Sequence, residues 1–223
     1  MAQMFVFQSL SILSCLAGIL SLQVNVDQKV NDIVSNYLGI YDIRFKTFTV
    51  ALQLAIDRNA KIFIETGTSR AHPSSCRGDG CSTYIFSAFN RLLNDESVEM
   101  YSVDISEKNC QISRDNIKSY EKYAVKVVSS DSVKFIQDWP VDKKIDFLYL
   151  DSFDFHAGKE IESQEHHFKE LKAALNKIHD GTIIFMDDCR LRMGGKCAMV
   201  RDYLLNNNWK IVIDEYQTLF VKN

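Results

Sequence analysis

The stretch Lys61-Ile-Phe-Ile-Glu65-Thr-Gly67-Thr-Ser-Arg70 sets the frame for the whole chain. Three consecutive apolar residues, an acid and then a glycine read as a short strand buried on both faces and leaving through a tight turn. Working toward the N-terminus, apolar residues recur at helical spacing: Val30, Ile33, Val34 and Tyr37, then Phe48, Leu52 and Ile56, with a turn at Gly39 between two helices. Toward the C-terminus the pattern repeats. A helix over 83–94 precedes strand 99–104, a polar helix near 107–121 precedes strand 124–128, and a short helix over 131–138 precedes Ile145-Asp-Phe-Leu-Tyr-Leu-Asp151. Helix 160–179 then leads through Gly181 to strand 182–187, and helix 195–207 to two strands, 209–213 and 218–221, close enough to pair antiparallel. Strand and helix alternate regularly. This predicts an α/β fold with a doubly wound, Rossmann-like sheet, mostly parallel with an antiparallel C-terminal strand and helices on both faces.

Composition limits the function classes. The 223 residues are 46% hydrophobic and 25% charged, near the globular average and far from disorder or a multi-span membrane protein. Lys plus Arg number 26 against 29 Asp plus Glu, a net charge of −3 that offers no basic footprint for nucleic acid. The apolar run Phe5 to Leu22 carries no charge and has the length of a membrane span. Yet the first basic residue is Lys29, no small-x-small cleavage site follows, and Gln8 and four serines dilute the run. A buried helix is the favoured reading, a membrane anchor the main alternative and a cleaved signal the third. Residues 1–45 are accordingly expected to form an N-terminal helical segment, cap or anchor, ahead of a domain over 46–223.

Six cysteines, Cys15, Cys76, Cys81, Cys110, Cys189 and Cys197, are expected as free thiols in a reducing compartment, which favours the cytoplasm. Zinc at Cys76 and Cys81 lacks a second ligand pair, since only His72 is near in sequence. Arg77-Gly-Asp79 is read as incidental.

In doubly wound sheets ligands bind at the carboxyl ends of the strands. Here those ends carry acids: Glu65, Asp104, Asp131, Asp151, and the pair Asp187 and Asp188. A phosphate-binding rim would instead offer glycine-rich amides with Lys or Arg, and neither G-x-x-x-x-G-K-[ST] nor G-x-G-x-x-G occurs. Nucleoside triphosphatases and dinucleotide enzymes are therefore disfavoured.

Six segments in order, IFIETGTSR, GDGCST, YSVDIS, SSDS, FLYLDSFDF and IIFMDDC, give residues 45–223 a pattern that resembles the class I S-adenosylmethionine (SAM)-dependent methyltransferases. SAM carries a sulfonium, an amino-acid head and a ribose diol but no pyrophosphate, which suits an acidic rim. The resemblance implies a cofactor site of Glu65, Gly67, Ser69, Gly80 and Ser82 in the first turn, Asp104 on the ribose hydroxyls, and Ser130 with Asp131 at the adenine. The alternative for Glu65 is a helix or loop cap, and for Asp104 a solvated strand end.

Asp151, Asp187 and Asp188 resemble the metal site of the catechol-type and macrolide-sugar O-methyltransferases. Three converging acids need a compensating cation: a metal, a substrate cation or a basic side chain. The resemblance favours Mg2+ or another hard divalent ion. The alternative has Asp151 touching SAM or substrate while the pair caps the next helix.

The catechol enzymes carry a Lys shortly after the strand-four acid, whereas this chain reads Ser152-Phe-Asp-Phe-His156. The base is therefore expected to be His156, oriented by Asp154, or else His166 or His167, of which only one faces the site. Arg190, Arg192 and Lys196, beside Gly194-Gly195, are expected to grip an anionic acceptor, to form a lid or simply to be solvated. The expected activity is metal-assisted O-methylation of a hydroxyl on a sugar, polyol or phenol, whether a small molecule or a glycan. The alternatives are a non-catalytic SAM-binding scaffold and a membrane-tethered enzyme acting on glycan or lipid-linked acceptors.

Overall fold

Along β4 (Ile145–Leu150), successive side chains feed two different cores. Phe147 and Tyr149 pack on one face of the sheet, Leu148 and Leu150 on the other. Every second residue of a strand points the same way, so an unbroken apolar run requires cover on both faces. The computed structural model describes residues 27–76 and 81–223.

Seven strands form one sheet in the order β3-β2-β1-β4-β5-β7-β6. They are β1 (Ile62–Thr66), β2 (Glu99–Asp104), β3 (Lys126–Ser129), β4, β5 (Ile178–Met186), β6 (Trp209–Asp214) and β7 (Thr218–Lys222). β1 to β5 pair in parallel, and β7 lies antiparallel to both β5 and β6. The described residues contain helices α1 (27–37), α2 (Phe45–Asp57), α3 (Ser82–Leu93), α4 (Glu107–Ile117), α5 (Ser132–Asp138), α6 (Glu160–Ala174) and α7 (Ala198–Leu205). Val30, Val34, Phe48, Leu52, Tyr84 and Phe89 from α1, α2 and α3 cover the face that carries Phe63, Phe147 and Phe185. Ile136, Leu171, Val200 and Leu204 from α5, α6 and α7 cover the face that carries Ile64, Leu148 and Ile184. This is the doubly wound, Rossmann-like architecture that strand–helix alternation implies.

Three local differences from the sequence reading matter. The helix expected to reach residue 179 stops at Ala174, and β5 starts at Ile178 because Ile178 pairs with Ile145 ahead of a register shift. The helix expected from 195 begins at Ala198. Met193, Gly194 and Gly195 all take positive φ and form an irregular 3-10 segment over Arg192–Cys197. Cys76 and Cys81, read as thiols, form a disulfide with Cα atoms 4.9 Å apart, whereas Cys110, Cys189 and Cys197 are free and buried.

The boundary at residue 45 falls at the start of α2, and Val30, Val34 and Leu38 of the preceding segment join the same core as Phe48. The apolar run Phe5 to Leu22, Gly80 and the Arg77-Gly-Asp79 tripeptide lie outside the described residues. Among the described residues, no helix is long and apolar enough to cross a membrane.

Candidate active site

The chain reverses its winding between β1 and β4, and a cavity of about 350 Å³ opens at the carboxyl ends of β1, β2 and β4. Gly67, Asp104, Ile105, Asp131, Phe153 and His166 line it. Gly67 takes φ +82°, and a Cβ there would stand 2.6 Å from the Asp151 carbonyl oxygen. Only glycine lets the first turn pass this close to the residue that ends β4.

Behind that turn Glu65 is buried. Its Oε2 accepts from Thr83 Oγ1 at 2.8 Å, and its Oε1 has no hydrogen-bond partner. Burial pushes its pKa up to about 7, against the hydroxyls of Ser102, Ser82 and Thr83, with the charge of Asp104 adding to the rise. Ser69 is also buried with an unpartnered Oγ, and its backbone N–H donates to Thr83 Oγ1 at 2.9 Å. Unpaired buried polar atoms are uncommon and costly. Two of them beside one glycine turn fit the amino-acid head of SAM, whose ammonium donates three hydrogens and whose carboxylate accepts from a hydroxyl.

Asp104 ends β2. Its Oδ1 accepts from the Ser106 N–H at 2.7 Å and its Oδ2 from the Thr68 N–H at 3.2 Å, which fixes the carboxylate while leaving lone pairs for a diol. Ile105 is 77% exposed in the cavity wall, an apolar surface against which a flat base can lie. Asp131 caps α5 by accepting from the Lys134 N–H at 2.8 Å, and Ser130 Oγ donates to the Asp131 carbonyl at 3.2 Å. Gly67, Asp104 and Asp131 therefore line one crevice, with Glu65 and Ser69 buried behind its first turn. Ser82 stands at the start of α3, beside Glu65.

His166 lines this cavity and does not stand with the carboxylates that follow β4 and β5. Its Nε2 is 3.2 Å from Ser132 Oγ and 3.4 Å from Glu170 Oε1, and the bond to Glu170 raises its pKa despite burial. Its neighbour His167 is a core residue with Nδ1 2.7 Å from the Ser163 carbonyl oxygen, and burial lowers its pKa to about 4. His156 is exposed. Asp154, expected to orient it, is held in a two-point pair by Arg70, with bonds of 2.6 and 3.0 Å. The histidine arrangement expected for proton transfer is therefore not assembled. The loop after β4 directs Asp154 toward the first turn instead.

The acids after β4 and β5 do converge, and the cation among them is Lys196. Its Nζ lies 2.6 Å from Asp151 Oδ1 and 3.2 Å from Asp188 Oδ2. Asp187 has one partner on each oxygen from within the protein, accepting from Tyr149 Oη at 2.8 Å and from the Asp188 N–H at 2.7 Å. Tyr216 donates to Asp188, and Gln217 Nε2 donates to Tyr149 Oη at 3.0 Å. Burial alone would lower the Lys196 pKa, but Asp151, Asp188 and Asp187 outweigh it and hold the group as an ammonium. Burial raises the carboxyls of Asp151 and Asp187.

Such a set does not fit the divalent ion that the resemblance implies. The oxygens that would bind it are turned onto an ammonium, and no group of three or more His, Cys, Asp or Glu among the described residues could hold a metal. Nor are the neighbouring cations set to grip an anion. Arg190 donates to the Asp214 and Glu215 carbonyls, and Arg192 faces Glu160 at 3.6 Å.

Sequence reasoning missed Thr83, Tyr149, Arg70 and the role of Lys196. The one signal available was the glycine pair ahead of Lys196, which marks backbone too tightly placed for a solvated loop.

A crevice at the switch point, acids on the strand ends and a glycine turn without phosphate-binding features define a class I SAM-dependent methyltransferase. The chain belongs to the Methyltransferase domain family, whose model matches residues 77–189, half of its length. No curated protein matches it. Among solved structures it is similar to a protein assigned as a caffeoyl-CoA O-methyltransferase from Staphylococcus aureus, with TM-score 0.57 and 14% identity over 80% of this chain and 83% of that one. It is also similar to a protein assigned as an O-methyltransferase from Klebsiella pneumoniae, with TM-score 0.55 and 15% identity over 89% and 90% of the two chains. A cofactor-bound protein from MTB aligns with TM-score 0.56 and 12% identity over 90% of each chain. At these identities the likeness is one of fold.

Proposed function

We propose that this methyltransferase acts on a hydroxyl oxygen of a small sugar, polyol or phenol, free or within a glycan. The observation that carries the reading is the placement of Asp151 and Asp188. Their carboxylates stay 24% and 22% exposed after β4 and β5, and the Asp151 backbone lies directly against the Gly67 turn of the cavity. Carboxylates accept hydrogen bonds and do not donate, so an acceptor that brings O–H donors suits them. A primary amine would be held there as an ammonium, with no lone pair to attack. The names of the two bacterial structures of like fold, both O-methyltransferases, agree with this choice.

SAM supplies a methyl group already activated by its sulfonium: the acceptor oxygen forms the new C–O bond as the S–C bond breaks and its electron pair returns to sulfur. The chain's own work is to align and deprotonate. Glu65 and Ser69 hold the amino-acid head, Asp104 the ribose and the Ile105 wall the base. Holding donor and acceptor in line supplies several kcal/mol of the barrier. Asp151, next to Gly67, takes the hydroxyl proton, and Asp188 orients the acceptor's second hydroxyl. No step here passes through a divalent ion, because Lys196 stands among the oxygens that would bind it.

The test is transfer of labelled methyl from SAM to a panel of sugars, polyols, phenols and primary amines. Label should appear in hydroxylated acceptors and be lost in Asp151→Asn. Label confined to amines would overturn the reading, and no transfer to any acceptor with SAM bound would favour the non-catalytic scaffold.

A further inference from the structure

We infer that Lys196 is a built-in cation occupying the position of a divalent metal, so that this methyltransferase positions its acceptor-facing carboxylates without one. The inference rests on the reading that Asp151 and Asp188 face the methyl acceptor.

The backbone is shaped to deliver this one side chain. Gly195 takes φ +57° and ψ −145°, a conformation almost confined to glycine. A Cβ at Gly195 would stand 1.7 Å from the Asp188 carbonyl oxygen. That absence of side chain lets the segment lie directly on the end of β5, where the Lys196 N–H donates to the Asp188 carbonyl at 3.2 Å. The Lys196 side chain is only 2% exposed, whereas the two carboxylates it holds are about ten times more open. The ammonium therefore sits behind the acids and acts through them. It is a positioning residue that does not itself meet the acceptor.

Charge explains why something must be there. Asp151, Asp187 and Asp188 repel one another across partly desolvated space, and a buried carboxylate without a partner is costly. A divalent ion needs these oxygens at roughly 2.0–2.6 Å, a shell it cannot complete while an ammonium holds two of the three acids. Removing the ammonium leaves an oxygen-rich, uncompensated acidic site.

The inference is tested on the full chain with Mn2+ alone as the probe, its free fraction followed by electron paramagnetic resonance. Wild-type protein should show no saturable site, and its thermal midpoint should not move with Mn2+. Lys196→Met should gain one site per chain, bind at least tenfold more tightly than wild type, recover thermal midpoint as Mn2+ is added, and lose the site again in Lys196→Met/Asp188→Asn. If Lys196→Met folds only when refolded with Mn2+, that dependence supports the same conclusion. A wild-type site that binds one Mn2+ and is abolished by Asp188→Asn would overturn the inference, as would a folded Lys196→Met that binds none. If Lys196→Met does not fold even with Mn2+, the wild-type titration alone decides. SAM binding is measured on the same samples. Its absence from folded wild type would sink the functional reading, whereas SAM binding alongside a wild-type metal site would sink only this one.

Discussion

Glu65 should make SAM binding depend on pH. Burial lifts its pKa to about 7, and its Oε1 waits without a partner beside the Gly67 turn. If the ammonium of SAM takes that oxygen, binding requires the ionised form. Affinity should then fall about tenfold, or about 1.4 kcal/mol, for each pH unit below the transition. The apo protein should respond with the opposite sign. A carboxyl with a raised folded pKa contributes stability while protonated and loses it as pH rises from the ordinary carboxylate range through about 7, a loss of order 3 kcal/mol. Glu65→Gln should therefore raise the unfolding free energy of the apo protein at pH 8, weaken SAM binding there, and flatten the affinity profile.

The other groups around Glu65 are Ser82 and Thr83 on α3, Ser102 and Asp104 on β2 and Tyr149 on β4, so Asp104→Asn serves as the control for the remaining carboxylate. The assay is titration calorimetry between roughly pH 5.5 and 7.5, below the usual pKa of an α-amino group. Two buffers of different ionisation enthalpy count the protons. Uptake of SAM at about pH 6 should release close to one proton. A flat affinity profile with no proton release would refute the role of Glu65.

Gly195→Ala should cost about 1–3 kcal/mol from its backbone conformation alone, and more from the collision with the Asp188 carbonyl, read as a lower urea midpoint. Reducing the Cys76–Cys81 bridge, whose cysteines lie five residues apart ahead of α3, should cost about 2 kcal/mol. Thermal denaturation with and without reductant should show it, the Cys76→Ser/Cys81→Ser variant should be insensitive, and unchanged wild-type stability would contradict it. His156→Ala should leave turnover within about threefold, because that side chain is exposed, while Asp151→Asn should lose at least about a hundredfold, the range of a removed general base. Equal losses in both would return the proton to the histidine.

The sheet was legible because parallel strands buried on both faces must be short continuous apolar runs, and IFI, FLYL and IIFM stand out against their polar surroundings. The acids on the strand ends were legible for the same reason, since a charge directly after such a run sits at the rim. Lys196 was not. Lysine is nearly always exposed, and its partner Asp151 is 45 residues away in sequence, so only folding reveals the pairing. The disulfide escaped because a chain of this size does not need one and spacing alone does not show that two cysteines meet. Among the histidines, adjacency on a helix indicated that His166 and His167 diverge, but not which faced the cavity or that Glu170 would claim it. Asp154 was assigned to its sequence neighbour His156, and the structure pairs it with Arg70 of the first turn.

The most direct test of the account is calorimetric titration of SAM into folded wild-type protein and into Asp104→Ala. Saturable binding of one SAM per chain is expected, unaffected by excess chelator and weakened at least tenfold in the variant, which loses the carboxylate assigned to the ribose. Absence of binding in a folded sample, or equal binding in both proteins, would contradict the placement of the cofactor between β1 and β2.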